Sequence, residues 1–315
     1  MVTSSNKLPA ENVSRGGDSY HTPVLLKETI EGLNIRPSGI YVDCTFGGGG
    51  HSSVILQKLD AAGTLVAFDQ DADVSRNIPD DPRVVFIPQN FRHLRRFLKL
   101  KNISSVDGIL ADLGVSSHQF DEPTRGFSIR FDAELDMRMN NRQSKTAAEV
   151  LNTYTEEKLH RLFERFGEVT NSKTLARTIV AARTASPFTT IAQFRQALQG
   201  IVKGNPNKYF AQVFQALRIE VNEEFEALTE MLEQVPELLN SGGRIAVITF
   251  HSGEDRIVKN FFKTGSFEEP EENVFGKKPK SPFRIITKKP VVAGETELKE
   301  NSRSRSAKLR VAEKV

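Results

Sequence analysis

The stretch that decides the fold is Asp43-Cys44-Thr45-Phe46-Gly47-Gly48-Gly49-Gly50-His51-Ser52. It continues a β-type run that begins at Ile40 and leads into a helical pattern starting near Ser52. A strand that ends in consecutive glycines ahead of a helix lets a ligand approach bare backbone and the open N–H groups of the first helical turn. Nineteen residues past Gly50, Asp69 closes a second apolar run, Thr64-Leu65-Val66-Ala67-Phe68-Asp69. A carboxylate in that position accepts hydrogen bonds from both hydroxyls of a ribose. The two features together imply a nucleoside-bearing cofactor. A pyrophosphate-binding turn needs the spacing G-x-G-x-x-G, and counted from Gly47 the third glycine slot is filled by Ser52. S-adenosyl-L-methionine, which carries no phosphate, therefore fits better than NAD.

Two further β-type runs follow, Arg83 to Ile87 and Val106 to Asp112, separated by helix-like stretches. This alternation is the mark of an α/β, doubly wound parallel sheet of Rossmann-like type. Between about Ser144 and Gln212 the apolar period becomes helical: Leu159, Leu162, Phe163 and Phe166 share one face, and Ile191, Phe194, Leu198, Ile201 and Val202 another. Gly242 to Phe250 then returns as a fifth buried strand, led by a helical pattern through Phe225, Leu228, Leu232 and Leu239. Two late runs, Phe283 to Thr287 and Ala307 to Val311, suit an antiparallel pair at the sheet edge. The expected organisation is a sheet domain made of 20–143 and 213–315, an all-helical domain at 144–212 inserted into it, and a disordered extension over 1–19.

Composition sets the outer limits. With 315 residues, 38% hydrophobic and 26% charged, and a mean hydropathy of −0.37, the chain is an ordinary globular protein of one or two domains. No apolar run approaches the roughly 18 residues that would cross a bilayer, and residues 1–19 lack the apolar block of a secretory leader. A single cysteine, Cys44, excludes an internal disulfide and a cysteine-rich metal cage. A cytoplasmic protein without membrane contact is expected. The net charge of +3 says little, but Lys277 to Val315 holds 12 Lys or Arg against 4 Asp or Glu, directly after Glu268, Glu269, Glu271 and Glu272. Such a segment is either a solvated tail or a grip for a polyanion.

The fourth strand ends in Asp112-Leu113-Gly114-Val115-Ser116-Ser117, at the carboxyl edge where doubly wound sheets bind ligands. Methylating an exocyclic amine is hard because its lone pair is delocalised into the ring. An acceptor that hydrogen-bonds the amine localises that pair, and Asp112 is the candidate; it is also a candidate cofactor contact or turn cap. His251, Glu254, Asp255 and Arg256 stand where the fifth strand gives way to a helix at the same edge. They suit either holding the base or capping the helix. His251 and Glu254 are half a metal site at most, and no metal is expected.

At this point the sequence resembles the bacterial 16S ribosomal RNA cytosine-N4 methyltransferases. The resemblance runs from about residue 20 to the C-terminus. It rests on His21-Thr22-Pro23-Val24-Leu25-Leu26, the glycine turn, Asp112-Leu113-Gly114-Val115-Ser116-Ser117-His118-Gln119, Arg125-Gly126-Phe127-Ser128, Leu135-Asp136-Met137-Arg138-Met139, Phe214-Gln215-Ala216-Leu217-Arg218-Ile219 and Thr249-Phe250-His251-Ser252. It implies a class I methyltransferase domain interrupted by a helical domain. The implied reaction is S-adenosyl-L-methionine-dependent methylation of a cytosine in the decoding region of 16S ribosomal RNA, within the small ribosomal subunit. Implied cofactor contacts are Gly49, Gly50, His51, Asp69, Phe91 near the adenine, Asp112 and Gln119, with Asp112 and His251 as catalytic candidates. Two positions depart from the family pattern: Gly253 stands where a leucine is usual and Ser302 where a proline is usual, and a looser backbone is expected at both. Candidates for gripping phosphates are Lys145, Arg161, Arg165, Arg177 and Arg183 in the helical part, and Arg303, Arg305, Lys308 and Arg310 in the tail. The rival readings are an amino-methyltransferase acting on DNA and a non-catalytic RNA-binding assembly factor; the retained glycine turn and Asp69 speak against the second.

Overall fold

A computed structural model describes residues 23–268 and 280–315; the expected extension at 1–19 and most of the acidic run lie outside them. Seven strands, β1 (Ile40–Asp43), β2 (Thr64–Phe68), β3 (Val84–Ile87), β4 (Val106–Asp112), β5 (Leu239–Thr249), β6 (Phe283–Ile285) and β7 (Lys308–Lys314), form one sheet in the order β3-β2-β1-β4-β5-β7-β6. Strands β1 to β5 are parallel, with Val42 level with Val66 and Ile109, and Leu110 level with Ala246. β7 lies antiparallel between β5 and β6, so the two late runs pair at the edge as expected.

The strands read as unbroken apolar runs because both faces are covered. Successive side chains alternate faces. Val42, Val66, Phe68, Ile109, Ile245 and Val247 pack toward helices α3 (Leu94–Leu100), α10 (Glu224–Leu238) and α11 (Ser252–Thr264). Tyr41, Leu65, Leu110, Ala246 and Ile248 pack toward α1 (Leu26–Leu33) and α2 (Gly50–Lys58).

Helices α5 (Ala147–Thr153), α6 (Glu156–Arg165), α7 (Ser172–Ala185), α8 (Ile191–Leu198) and α9 (Pro206–Asn222) enclose a separate core centred on Leu159, Phe163, Ile179, Phe194 and Leu217. The expected boundary at 212/213 falls inside α9, which runs unbroken because Pro206 starts it and the next break comes at Glu223, at φ 50°. On the other side, Phe127, Leu135, Met137 and Met139 belong to the same core. They lie in irregular chain that no apolar period betrays. The helical core therefore draws on 127–225, a wider span than 144–212.

Candidate active site

The glycine turn is held by backbone geometry rather than by side chains. Gly47 and Gly49 have φ of 51° and 75°, conformations that favour glycine. Gly49 is the N-cap of α2 and makes no side-chain cap, which leaves the first turn of the helix open. A Cβ on Gly50 would stand 2.3 Å from Pro23 Cγ, so the segment Pro23–Leu25 lies directly on the turn. That segment also fixes His51, whose Nε2 is 3.1 Å from the Val24 carbonyl oxygen.

Three acids end three neighbouring strands at this edge. Asp43 accepts from Ser52 Oγ at 2.7 Å and from Thr45 N at 3.0 Å. Asp69 accepts from Gly47 N at 2.8 Å through Oδ2 and from Asp71 N at 2.9 Å through Oδ1. Burial pushes its pKa up to about 6, against the pull of those two hydrogen bonds, and the charges of Asp71 and Asp43 add to the rise. Asp112 Oδ2 lies 3.6 Å from His51 Nδ1, beyond hydrogen-bond distance. Asp112 Oδ1 is buried without a partner among the described residues. Burial, with the charges of Asp43 and Glu254, holds this carboxyl well above the usual range. Burial lowers His51, so the imidazole is neutral near pH 7 and its Nε2–H donates to Val24.

Phe91 sits half-buried just past β3, packed on the sheet core. Gln119 belongs to α4 (Ser117–Asp121) and is fully engaged in the loop: Oε1 accepts from Ser116 N at 3.1 Å, and Nε2 donates to Asp71 Oδ2 at 2.7 Å. Its role in this structure is to cap α4 and hold Asp71. A cavity of about 340 Å³ is lined by Gln70, Gln89, Asn90 and Arg92, from the segments that follow β2 and β3, and by Asn140, Gln143, Ser144, Lys145 and Asn222 from the helical unit.

The group around His251 takes one of the two arrangements open in the sequence, the helix cap. His251 is the N-cap of α11: Nδ1 accepts from Glu254 N at 3.4 Å, and Nε2 stands 3.2 Å from Glu254 Oε1 without hydrogen-bond geometry. Both nitrogens thus face Glu254, and the ring stacks on Phe225. This is the geometry of a helix cap. Glu254 is 2% exposed and accepts from Phe250 N. Burial pushes it up, but His251 and the Arg218 charge outweigh burial and hold it below the ordinary range. Asp255 is tied to Arg310 in a two-point contact. Arg310, 8% exposed, is therefore a structural cation and not a phosphate grip, and Lys308 also faces Asp255. Arg161, Arg177, Lys145 and Arg303 are paired with Glu157, Glu156, Glu223 and Asp121.

Gly253 is packed, not loose. A Cβ there would meet Phe225 Cζ at 2.4 Å, so the missing side chain is what lets Phe225 lie on His251. Sequence reasoning also missed Glu224, whose carboxylate gathers with His251 and Glu254. Arg218 explains the gathering: Nε and Nη2 donate to Glu224 at 2.8 and 2.9 Å, supplying the positive charge that these acids need.

The family model described as "MraW methylase family" matches residues 18–315. The chain belongs to that family. It is 54% identical over 297 residues to the ribosomal RNA small subunit methyltransferase H of Azobacteroides pseudotrichonymphae genomovar. CFP2, covering 94% of this chain and 98% of the relative. Against the protein of the same name from Phocaeicola vulgatus the identity is 52% over 303 residues, covering 96% and 100%. Among solved structures, a putative rRNA methylase from Clostridium thermocellum is similar at a TM-score of 0.44, with 11% identity, covering 95% of this chain and 100% of that one. The resemblance read from the motifs thus agrees with an MraW-family match over nearly the whole chain.

Proposed function

We propose that this protein transfers a methyl group from S-adenosyl-L-methionine to the N4 amine of a cytosine in 16S ribosomal RNA. The observation that carries the reading is the sign of the charge at the sheet edge. Asp43, Asp69 and Asp112 end three adjacent strands, and the turn from Gly47 to Ser53 carries no Lys or Arg. An acid-lined edge repels a pyrophosphate and attracts a sulfonium cation. The relatives' shared name supports the RNA substrate.

The residues present fit the donor. Asp69 would hold the ribose hydroxyls, the cavity lined by Gln70 and Asn90 would take the adenine, and the open first turn of α2 would receive the carboxylate. S-adenosyl-L-methionine supplies an electrophilic methyl group. Asp112, with one carboxylate oxygen lacking a partner, would accept a hydrogen bond from the N4 amine and hold the proton that the amine gives up. Thr45 fixes the backbone beneath that carboxylate, its Oγ1 accepting from Asp112 N at 2.7 Å. The remaining contribution is placement and exclusion of water, which needs no covalent intermediate with the protein. The target cytosine must leave any stack to arrive there.

The test is mass mapping of 16S ribosomal RNA from cells that lack the protein and from the same cells supplied with it. One N4-methyl cytosine should vanish and return. An unchanged methylation map, or methyl transfer to duplex DNA instead, overturns the reading.

A further inference from the structure

We propose that Arg218 reads the acceptor edge of the target cytosine, opposite Asp112; the proposal rests on the cytosine-N4 reading and deepens it. Arg218 lies near the end of α9. Glu223, at φ 50°, breaks the chain there, and Glu224 opens α10. The break turns Glu224 back so that its two oxygens take the Nε and Nη2 edge of the guanidinium at 2.8 and 2.9 Å. A two-point contact of this kind fixes the plane of the arginine. The third nitrogen, Nη1, has no hydrogen-bond partner among the described residues, and the side chain keeps 16% of its surface exposed.

Nη1 lies near the chain just past β4. It stands 4.0 Å from where a Cβ on Gly114 would be, and Phe250 Cδ2 stands 3.6 Å from the same point. Gly114 has φ 91°, and the bare backbone two residues past Asp112 has both an aromatic ring and a guanidinium nearby. Burial works against the charge on Arg218, but Glu224 and Glu254 overcome it, and the donor is permanently charged.

Cytosine offers an amine donor at N4 and acceptors at N3 and O2. Asp112 is an acceptor suited to N4; a complementary reader must place a donor on the other side of the ring, and Nη1 is that donor, directed at O2. Uracil carries an oxygen in place of N4 and so presents an acceptor to Asp112. Arginine and carboxylate together therefore distinguish the two pyrimidines, as hydrogen-bond readout of base edges generally does. Glu224 is the positioning residue for this contact.

The test compares RNA with cytidine and with 2-thiocytidine at the target position, since sulfur is a poor acceptor. Initial rates of methyl transfer and equilibrium binding by fluorescence anisotropy are both read. Wild type should lose about 10- to 100-fold in kcat/KM on the thio substrate, the worth of one charged hydrogen bond, and should bind that RNA more weakly. Arg218→Lys keeps a charge for Glu224 without the fork; it should be slow on both substrates, with the thio penalty shrunk to about twofold. If the lysine variant does not fold, Glu224→Gln, which keeps an acceptor for the guanidinium but releases its two-point clamp, should likewise shrink the thio penalty. A wild type indifferent to the thio substitution, or a variant that keeps the full penalty, overturns the assignment. Absence of transfer to unmodified cytosine by wild type counts instead against the cytosine-N4 reading, and the anisotropy comparison still judges Arg218.

Discussion

Acidification should weaken binding of the methyl donor through Asp69. A carboxylate that receives two ribose hydroxyls must be ionised, and in the free protein burial raises this one to about 6. The ionised fraction then drops from about nine-tenths near pH 7 to about one-tenth near pH 5, so the apparent dissociation constant should rise about tenfold across that interval. Calorimetric titrations in buffers of different ionisation heat should also register proton release on binding near pH 6. Groups facing Asp69 are Asp43 and Asp71, so the Asp69→Asn variant is the control. Its amide nitrogen would meet a backbone N–H, from Gly47 or Asp71, where an oxygen now accepts. Affinity should be low and independent of pH. The same shift acts on the fold with a definite sign. Because the folded pKa exceeds the usual 3.8, the native state holds an extra proton between those values. Stability therefore falls as pH rises through that window, by at most about 3 kcal/mol. A wild-type affinity that stays flat from pH 7 to pH 5 would refute the reasoning.

Gly50→Ala drives a methyl into Pro23, which cannot retreat without lifting Val24 off His51; a loss of about 1–3 kcal/mol is expected, read as a lowered Tm. Asp112→Asn should cut kcat about 10²- to 10³-fold while donor affinity, measured by calorimetry, changes by less than about threefold; a kcat near wild type would remove Asp112 from the chemistry. Phe163→Ala, in the middle of the helical core at 0% exposure, should cost about 3–5 kcal/mol in urea unfolding.

The sheet was legible because continuous Val, Ile and Leu runs ending in polar turns have few other fates, and the positions of Asp43, Asp69 and Asp112 followed from the strand ends. The helical unit was legible only where it is periodic. Phe127, Leu135, Met137 and Met139 enter its core from irregular chain held by contacts such as Asn222 Oδ1 with Met139 N, at 2.7 Å, which no periodicity announces. The Arg218 and Glu224 pair was hidden for a related reason. A spacing of six fits no single helix, and the pair meets only because the chain breaks at Glu223. The signal available was a lone arginine inside the apolar string from Phe214 to Ile219. For His251, sequence alone balanced cap against base holder, and the orientation of both ring nitrogens toward Glu254 favours the cap.

The order of the strands has a cost during synthesis. β4 is complete at Asp112, but the neighbour that pairs with it, β5, begins only at Leu239. Until the intervening chain has been made and has collapsed, one long side of β4, with Val106, Ile109 and Leu110, stands as an unpaired edge, the kind of surface on which nascent chains aggregate. Closing so large a loop is also slow. Overproduction at high temperature should therefore favour inclusion bodies, and slower synthesis in the cold should favour the native sheet.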